Sequence, residues 1–404
     1  MKKNLKLKLE QIFEAAGGAA LDLQIYSGSN LLAEASLPLV GEGVSKNELA
    51  LIEDRFNSFI AKQELDKSLW LNVQDFIKDD KNNKYLPKPL GLLLEMLSLR
   101  VVASLANVNL FEQIAEVFLK GERLFFVPTP MITMFNGGVY GDTNLDFEEY
   151  LLIPLTKGRS SFEQKINNAN LVYRKLALVL KAAGYDADLG VLGAYAPDLV
   201  STVEALDLMI ASINLSGFSP ASDFGIGIDI GSANLYNKEN HNYVFRLSHN
   251  YFTNTSLSQL YSEWLIKYPI FYLEDALAPD DTVAWQELSV ELGEELVLAG
   301  DKLFTNDSAV LRRGLAAGLA NSVVVNLQEY KSIVDVVEFV ALAKKRNYQV
   351  VFAAAEQETN DSFIADLAVA LGADFVKFGA LARGERLAKY NRLLSISRRL
   401  ENFF

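Results

Sequence analysis

The 404-residue chain contains no cysteine, so disulfides, thiolate nucleophiles and zinc–sulfur centres are excluded. Positive charge is in short supply. The net charge is −13 and the isoelectric point is near 4.9. Such a surface repels phosphate backbones, and no nucleic-acid partner is expected. No uninterrupted apolar run reaches the roughly 18 residues of a membrane span, so none is expected. The first ten residues, MKKNLKLKLE, lack the apolar stretch of a signal peptide. The expected residence is the cytoplasm, and surface exposure without a signal is compatible with the same sequence. Neither a GxGxxG nor a GxxxxGKS motif is present, which removes the main support for a doubly wound nucleotide-binding sheet.

Half of the residues are hydrophobic and 22% are charged, which is ordinary for a folded chain long enough for two domains. Leu alternates with Lys over residues 5–9, which suits a half-exposed strand. Leu21–Tyr26 and Leu31–Leu37 flank the turn cluster Ser27-Gly28-Ser29-Asn30 and read as a hairpin. Leu90–Ile114 is long, apolar and helical in period. From Phe125 onward short apolar runs alternate with helical stretches. The runs are Ile226–Ile230, Ile270–Leu273, Leu296–Leu298, Ser322–Val325, Gln349–Phe352 and Phe375–Val376. Repeated strand–helix units predict a parallel α/β barrel. The expected division is a smaller α+β domain over 1–124 and a TIM-like barrel over 125–404.

Function in such a barrel gathers at the C-terminal ends of its strands. Three carboxylates fall there by pattern: Asp229, Glu274 and Asp301, each after a different run. Converging carboxylates repel one another unless a cation neutralises them, and an all-oxygen set suits Mg²⁺. Taken singly, each would be read as an N-cap or an ion pair at a loop start.

Several runs carry a family resemblance. YPIFYLED at 268–275 resembles the enolase segment YPIxxIEDP, and AGDKLFTN at 299–306 looks like VGDDLFVTN with one residue deleted. IADLAVA at 364–370 and VKFGALARGERLAKYN at 376–391 are similar to IADLAVA and IKTGxxxRxERxAKYN. FNGGVYGDTNLDFEEY at 135–150 looks like INGGSHAxNNxDxQEF. Ala196-Pro197, followed by Glu204-Ala205-Leu206, matches GFAPxxxxxEEALxL. Before about residue 128 the likeness is faint, with only Ile12 and Gly17 identical to ILDSRGNP.

The resemblance implies an enolase-type barrel behind a smaller N-terminal domain, a homodimer, and magnesium held by Asp229, Glu274 and Asp301. One ion at most is expected. The second ion of the family needs a serine where this chain has Glu42. The resemblance also locates what is missing. Asn326 stands at the lysine base, and Lys331, five residues on, is expected to point away. Leu192 stands at the proton-donating glutamate and Leu171 at its partner glutamate, so two leucines are expected to face each other in place of two facing carboxylates. Tyr140 replaces the motif histidine. Ala354-Ala355-Glu356 replaces the His-Arg-Ser that would bind phosphate, and Glu358 adds further negative charge. The only histidines, His241 and His249, lie elsewhere. Lys377 alone survives, in the role of contacting a substrate carboxylate.

The expectation is a family member inactive in interconverting 2-phosphoglycerate and phosphoenolpyruvate, with a binding or regulatory role. It would bind a metal-held ligand such as a small carboxylate, another protein, or an active member of the same family. The alternative is a lyase or isomerase acting on a non-phosphorylated carboxylate with magnesium and Lys377 as base. A third expectation is an interaction protein with no small ligand.

Overall fold

A computed structural model describes residues 5–39, 44–64, 66, 68–79, 88–119, 124–155 and 160–401. Glu42 lies outside them. The chain forms two compact units.

The first unit holds the described residues up to Phe125, together with Leu327–Val337 and Gln357–Gly372. Its antiparallel sheet runs β1 (Leu5–Phe13), β2 (Ala19–Ser27), β3 (Asn30–Pro38). Leu5, Leu7 and Leu9 are buried while Lys6 and Lys8 are exposed, as a period of two requires. Gly28, at φ +63°, makes the tight turn between β2 and β3. The helix Lys46–Ile60 packs on β1, and the helix Lys88–Ala106 packs on β2 and β3.

The apolar stretch Leu90–Ile114 is two helices rather than one. It breaks at Asn107, at φ +54°, and restarts as Leu110–Phe118. Asn109 stands at the N-cap of the restart, and the Glu112 carboxylate reaches back to accept the Asn109 backbone N–H at 2.7 Å. Pro89–Ala106 is long and apolar enough to cross a membrane, but most of it is buried inside this unit, as in the core helix of a globular fold. Polar bonds tie the second of these segments, Gln357–Gly372, to the sheet and this helix. Arg100 forms a bidentate pair with Asp361 at 2.7 Å, and Ser36 Oγ bonds Thr359 Oγ1 at 3.0 Å. The strand–helix pattern alone assigns both segments to the barrel.

The second unit is a closed eight-stranded barrel. Its strands are β4 (Thr129–Asn136), β5 (Glu149–Pro154), β6 (Phe224–Asp229), β10 (Ile270–Glu274), β11 (Val297–Gly300), β12 (Ser322–Asn326), β13 (Gln349–Ala353) and β14 (Phe375–Lys377). A small antiparallel sheet of β7 (Tyr236–Asn237), β8 (Asn242–Phe245) and β9 (Asn250–Phe252) intervenes. Met131, Leu151, Ile153, Tyr272, Val324 and Val351 form the central apolar cluster.

The barrel is not wholly parallel. β5 runs antiparallel to both β4 and β6. Only residues 137–148 join β4 to β5, with no helix among them, so the chain turns back instead of crossing over. Two helices, Phe162–Ala183 and Thr202–Leu215, then lie between β5 and β6. This reversal positions one of the residues at the candidate site.

Candidate functional site

Six strands bring side chains to one rim of the barrel. Asp229 ends β6, Glu274 ends β10, Asn326 ends β12 and Lys377 ends β14, while Asp301 follows β11 directly. Because β5 is reversed, its first residue, Glu149, reaches the same rim, paired in register with Asp229 and Asn136. A search confined to C-terminal strand ends overlooks it. The signal lay in the DFEEY run, where the family pattern also has a glutamate.

Lys377 occupies the centre. Its Nζ lies 2.8 Å from Asp229 Oδ2, 2.9 Å from Glu149 Oε1 and 2.9 Å from Glu274 Oε2. Other groups orient these carboxylates. Thr133 Oγ1 donates to Glu149 Oε2 at 2.6 Å, Tyr272 OH to Glu274 Oε2 at 2.5 Å, and the Gly231 N–H to Asp229 Oδ1 at 3.2 Å. All four charged groups are buried.

Asp301 is held apart from this knot. Lys302 Nζ reaches its Oδ2 at 2.9 Å, and the Asn326 amide donates to its Oδ1 at 2.8 Å. Asp275 accepts the backbone N–H groups of Asp301 and Lys302 at 3.0 and 2.9 Å, fixing that loop. Glu148 accepts from Asn234 at 2.6 Å. Gly231, at φ +57°, makes room for it, since a Cβ there would stand 2.4 Å from the Glu148 carboxyl. A cavity of about 440 Å³ beside these loops is lined by Gly138, Asn144, Asp146, Asn234, Arg246 and His249.

Six carboxylates thus face two ammonium groups. Burial first, and Asp229 next, push Glu148 up to about 8; burial, Asp301 and Asp229 push Asp275 up to about 7. Burial raises Asp229, and burial with repulsion from Asp229 raises Glu274 well above the usual carboxylate range. Burial alone would lower Lys377, but attraction to Asp229, Glu149 and Glu274 outweighs it and holds the ammonium form.

Other expected positions fall as follows. Leu192 is 4% exposed, in a loop whose 192 and 194 N–H groups donate to Asn136 Oδ1 at the end of β4. The expectation that Leu171 faces it is overturned. Leu171 is 41% exposed on the outer side of its helix, whose inner side carries Ala169, Val172, Tyr173 and Leu176. Tyr173 is the residue that reaches the loop, donating to the Gly193 carbonyl at 2.6 Å. Tyr140 is half-buried, and burial with the charge of Glu148 raises its hydroxyl pKa. Glu356 is exposed and contributes its carbonyl, not its carboxylate, to a bond from Arg386 at 2.6 Å. In the first unit, Glu358 is buried and accepts from Gln328 at 3.2 Å, and Lys331 is exposed. His241 and His249 sit on the exposed excursion between β6 and β10.

A closed barrel with acidic groups on one rim, in a chain that also carries a smaller α+β unit, defines a class of proteins that work on ligands at that rim. The family profile described as the enolase C-terminal TIM barrel domain matches residues 124–403. Enolases of Ehrlichia ruminantium, strains Welgevonden and Gardel, are each 31% identical to this chain over 98% of its length and 96% of theirs. The chain belongs to the enolase family.

Enolases use magnesium, and the donor chemistry here suits it. Asp229, Glu274 and Asp301 offer only oxygen donors, and all three stand at one rim of the barrel. Among the described residues, however, no three acidic or histidine side chains are disposed to hold a metal ion. Lys377 stands among two of the three, and the third is turned to Lys302 and Asn326.

Proposed function

We propose that this chain is an enolase-family protein that does not interconvert 2-phosphoglycerate and phosphoenolpyruvate. Its role is to bind, with the rim carboxylates as a cation site. The observation that carries this reading is Asn326. It stands where the family resemblance puts the lysine base, and its amide donates to Asp301. An amide cannot accept a carbon-bound proton at neutral pH. Leu192, at the acid position, cannot donate one.

General base and general acid each contribute about 10²–10⁴ in rate. Their joint absence removes about 5–11 kcal/mol of transition-state stabilisation at roughly 1.4 kcal/mol per decade. The retained Glu149 does not replace either, since it is paired with Lys377. Asp229, Glu274 and Asp301 would hold a magnesium ion, which would supply charge stabilisation to a bound carboxylate or enolate.

The alternative of Lys377 as base in another reaction is weaker. A buried ammonium shared by three carboxylates has no free lone pair. The test is formation of phosphoenolpyruvate from 2-phosphoglycerate with millimolar Mg²⁺. No turnover above background is expected. Turnover in the common enzyme range of about 1–10³ per second would overturn the proposal.

A further inference from the structure

We infer that the cavity between the β4–β5 loop and the turn joining β8 to β9 binds a small organic carboxylate with an apolar body. The inference is independent of the reading of the rim, because none of the rim residues Glu149, Asp229, Glu274, Asp301, Asn326 and Lys377 lines this cavity.

Its walls are two short segments held by one acid. Residues 137–148 turn the chain from β4 back into β5. Opposite them, the turn Arg246–His249 closes with the His249 N–H donating to the Arg246 carbonyl at 3.4 Å. Asp146 is 6% exposed and clamps the second wall to the first. Its Oδ1 accepts the Arg246 N–H at 2.7 Å, and its Oδ2 accepts the Leu247 N–H at 3.3 Å and Thr202 Oγ1 at 3.5 Å. The clamp fixes the backbone under Arg246 and leaves its exposed guanidinium outside. Among the described residues, neither that guanidinium nor the His249 ring has an ion pair or a hydrogen bond.

The lining sets the class of ligand. The cavity holds about 440 Å³, a volume suited to a small molecule. Val139, Leu145, Leu235 and Leu247 supply apolar wall beside Arg246 and His249. Asp146 also lines the cavity, but the chain's own donors occupy its oxygens. A planar guanidinium pairs with a carboxylate through two parallel bonds, and an imidazole N–H can add another. The apolar wall then covers the hydrocarbon body. A bare inorganic anion would leave that wall wet, and a neutral apolar molecule would leave Arg246 without a partner.

The test is calorimetric titration of the full chain with benzoate, benzamide and inorganic phosphate. Excess EDTA keeps the rim from holding a probe through a metal, and about 0.15 M salt screens the net charge of the chain. The native protein, Arg246→Gln and Val139→Asp are compared. Both positions are exposed, and near-ultraviolet circular dichroism checks that the fold is kept. Saturable benzoate binding at millimolar concentration or below is expected in the native protein, with benzamide and phosphate each at least about tenfold weaker. Each variant is expected to weaken benzoate at least about tenfold, the first by losing charge-assisted bonds and the second by adding a like charge. No benzoate binding by the native chain overturns the inference, as does unchanged affinity in either folded variant. Phosphate binding as tightly as benzoate overturns the role of the apolar wall, and benzamide binding as tightly overturns that of Arg246.

Discussion

Glu95 allows a prediction whose sign and size follow from the structure. It is fully buried on the helix Lys88–Ala106. Its carboxyl accepts from the Gln74 side chain and from the Ile333 N–H. Those two donors favour the ionised form, but burial is the larger effect and pushes the group up to about 7 from an ordinary 4.5. The folded protein therefore keeps a proton that the unfolded chain releases at lower pH. Stability supplied by the protonated form is complete below pH 4.5 and is lost as pH rises towards 7. The gap corresponds to about 3 kcal/mol at roughly 1.4 kcal/mol per pH unit.

Glu95→Gln removes the titration and keeps the shape. Its oxygen can accept from Ile333, and its amide can donate to a flipped Gln74. In urea denaturation, variant and native protein should be similar near pH 4.5. The variant should become the more stable, by up to about 3 kcal/mol, at pH 8. A native protein more stable than the variant at pH 8 would show that the carboxylate, with its two donors, is the favoured buried form. The reasoning on burial would then be refuted.

Gly231→Ala should cost about 1–3 kcal/mol in denaturant unfolding, because it adds strain at φ +57° and drives Glu148 from its place; no change would mean the loop relaxes freely. Phosphoenolpyruvate with Mg²⁺ should give no saturable binding at micromolar concentration, since Ala354 and Ala355 offer no cationic donors; calorimetric saturation would show another phosphate site. Because Glu356 points to solvent, the loss of those donors, rather than repulsion, should dominate. A homodimer is proposed from the family resemblance, and light scattering showing a monomer at micromolar concentration would count against it.

Much of the fold was legible because its signals are local. Leu-Lys alternation in β1 and the Ser27–Asn30 turn depend on neighbours a few residues apart. So do the six apolar runs that became β6 and β10–β14. The break at Asn107 was less legible, since both flanking helices are apolar and only a single residue changes backbone hand. The rim residues Asp229, Glu274, Asp301, Asn326 and Lys377 were found by strand ends and by family pattern together. Leu171 was misplaced because an alignment position does not say which side of a helix faces inward.

The sequence by itself determined the chemical inventory: no thiol, an acidic surface, carboxylates at strand ends, an amide in place of a base and a leucine in place of an acid. Covalent composition and short-range spacing suffice for that. Tertiary structure alone decided who meets whom. The reversal of β5 carries Glu149 to a rim where the sequence rule looked only for strand ends. The closure of the barrel places Lys377 among carboxylates from 103 to 228 residues earlier in the chain. A buried ammonium takes whichever acceptors the closed sheet brings within reach, and no local pattern in the chain records that choice.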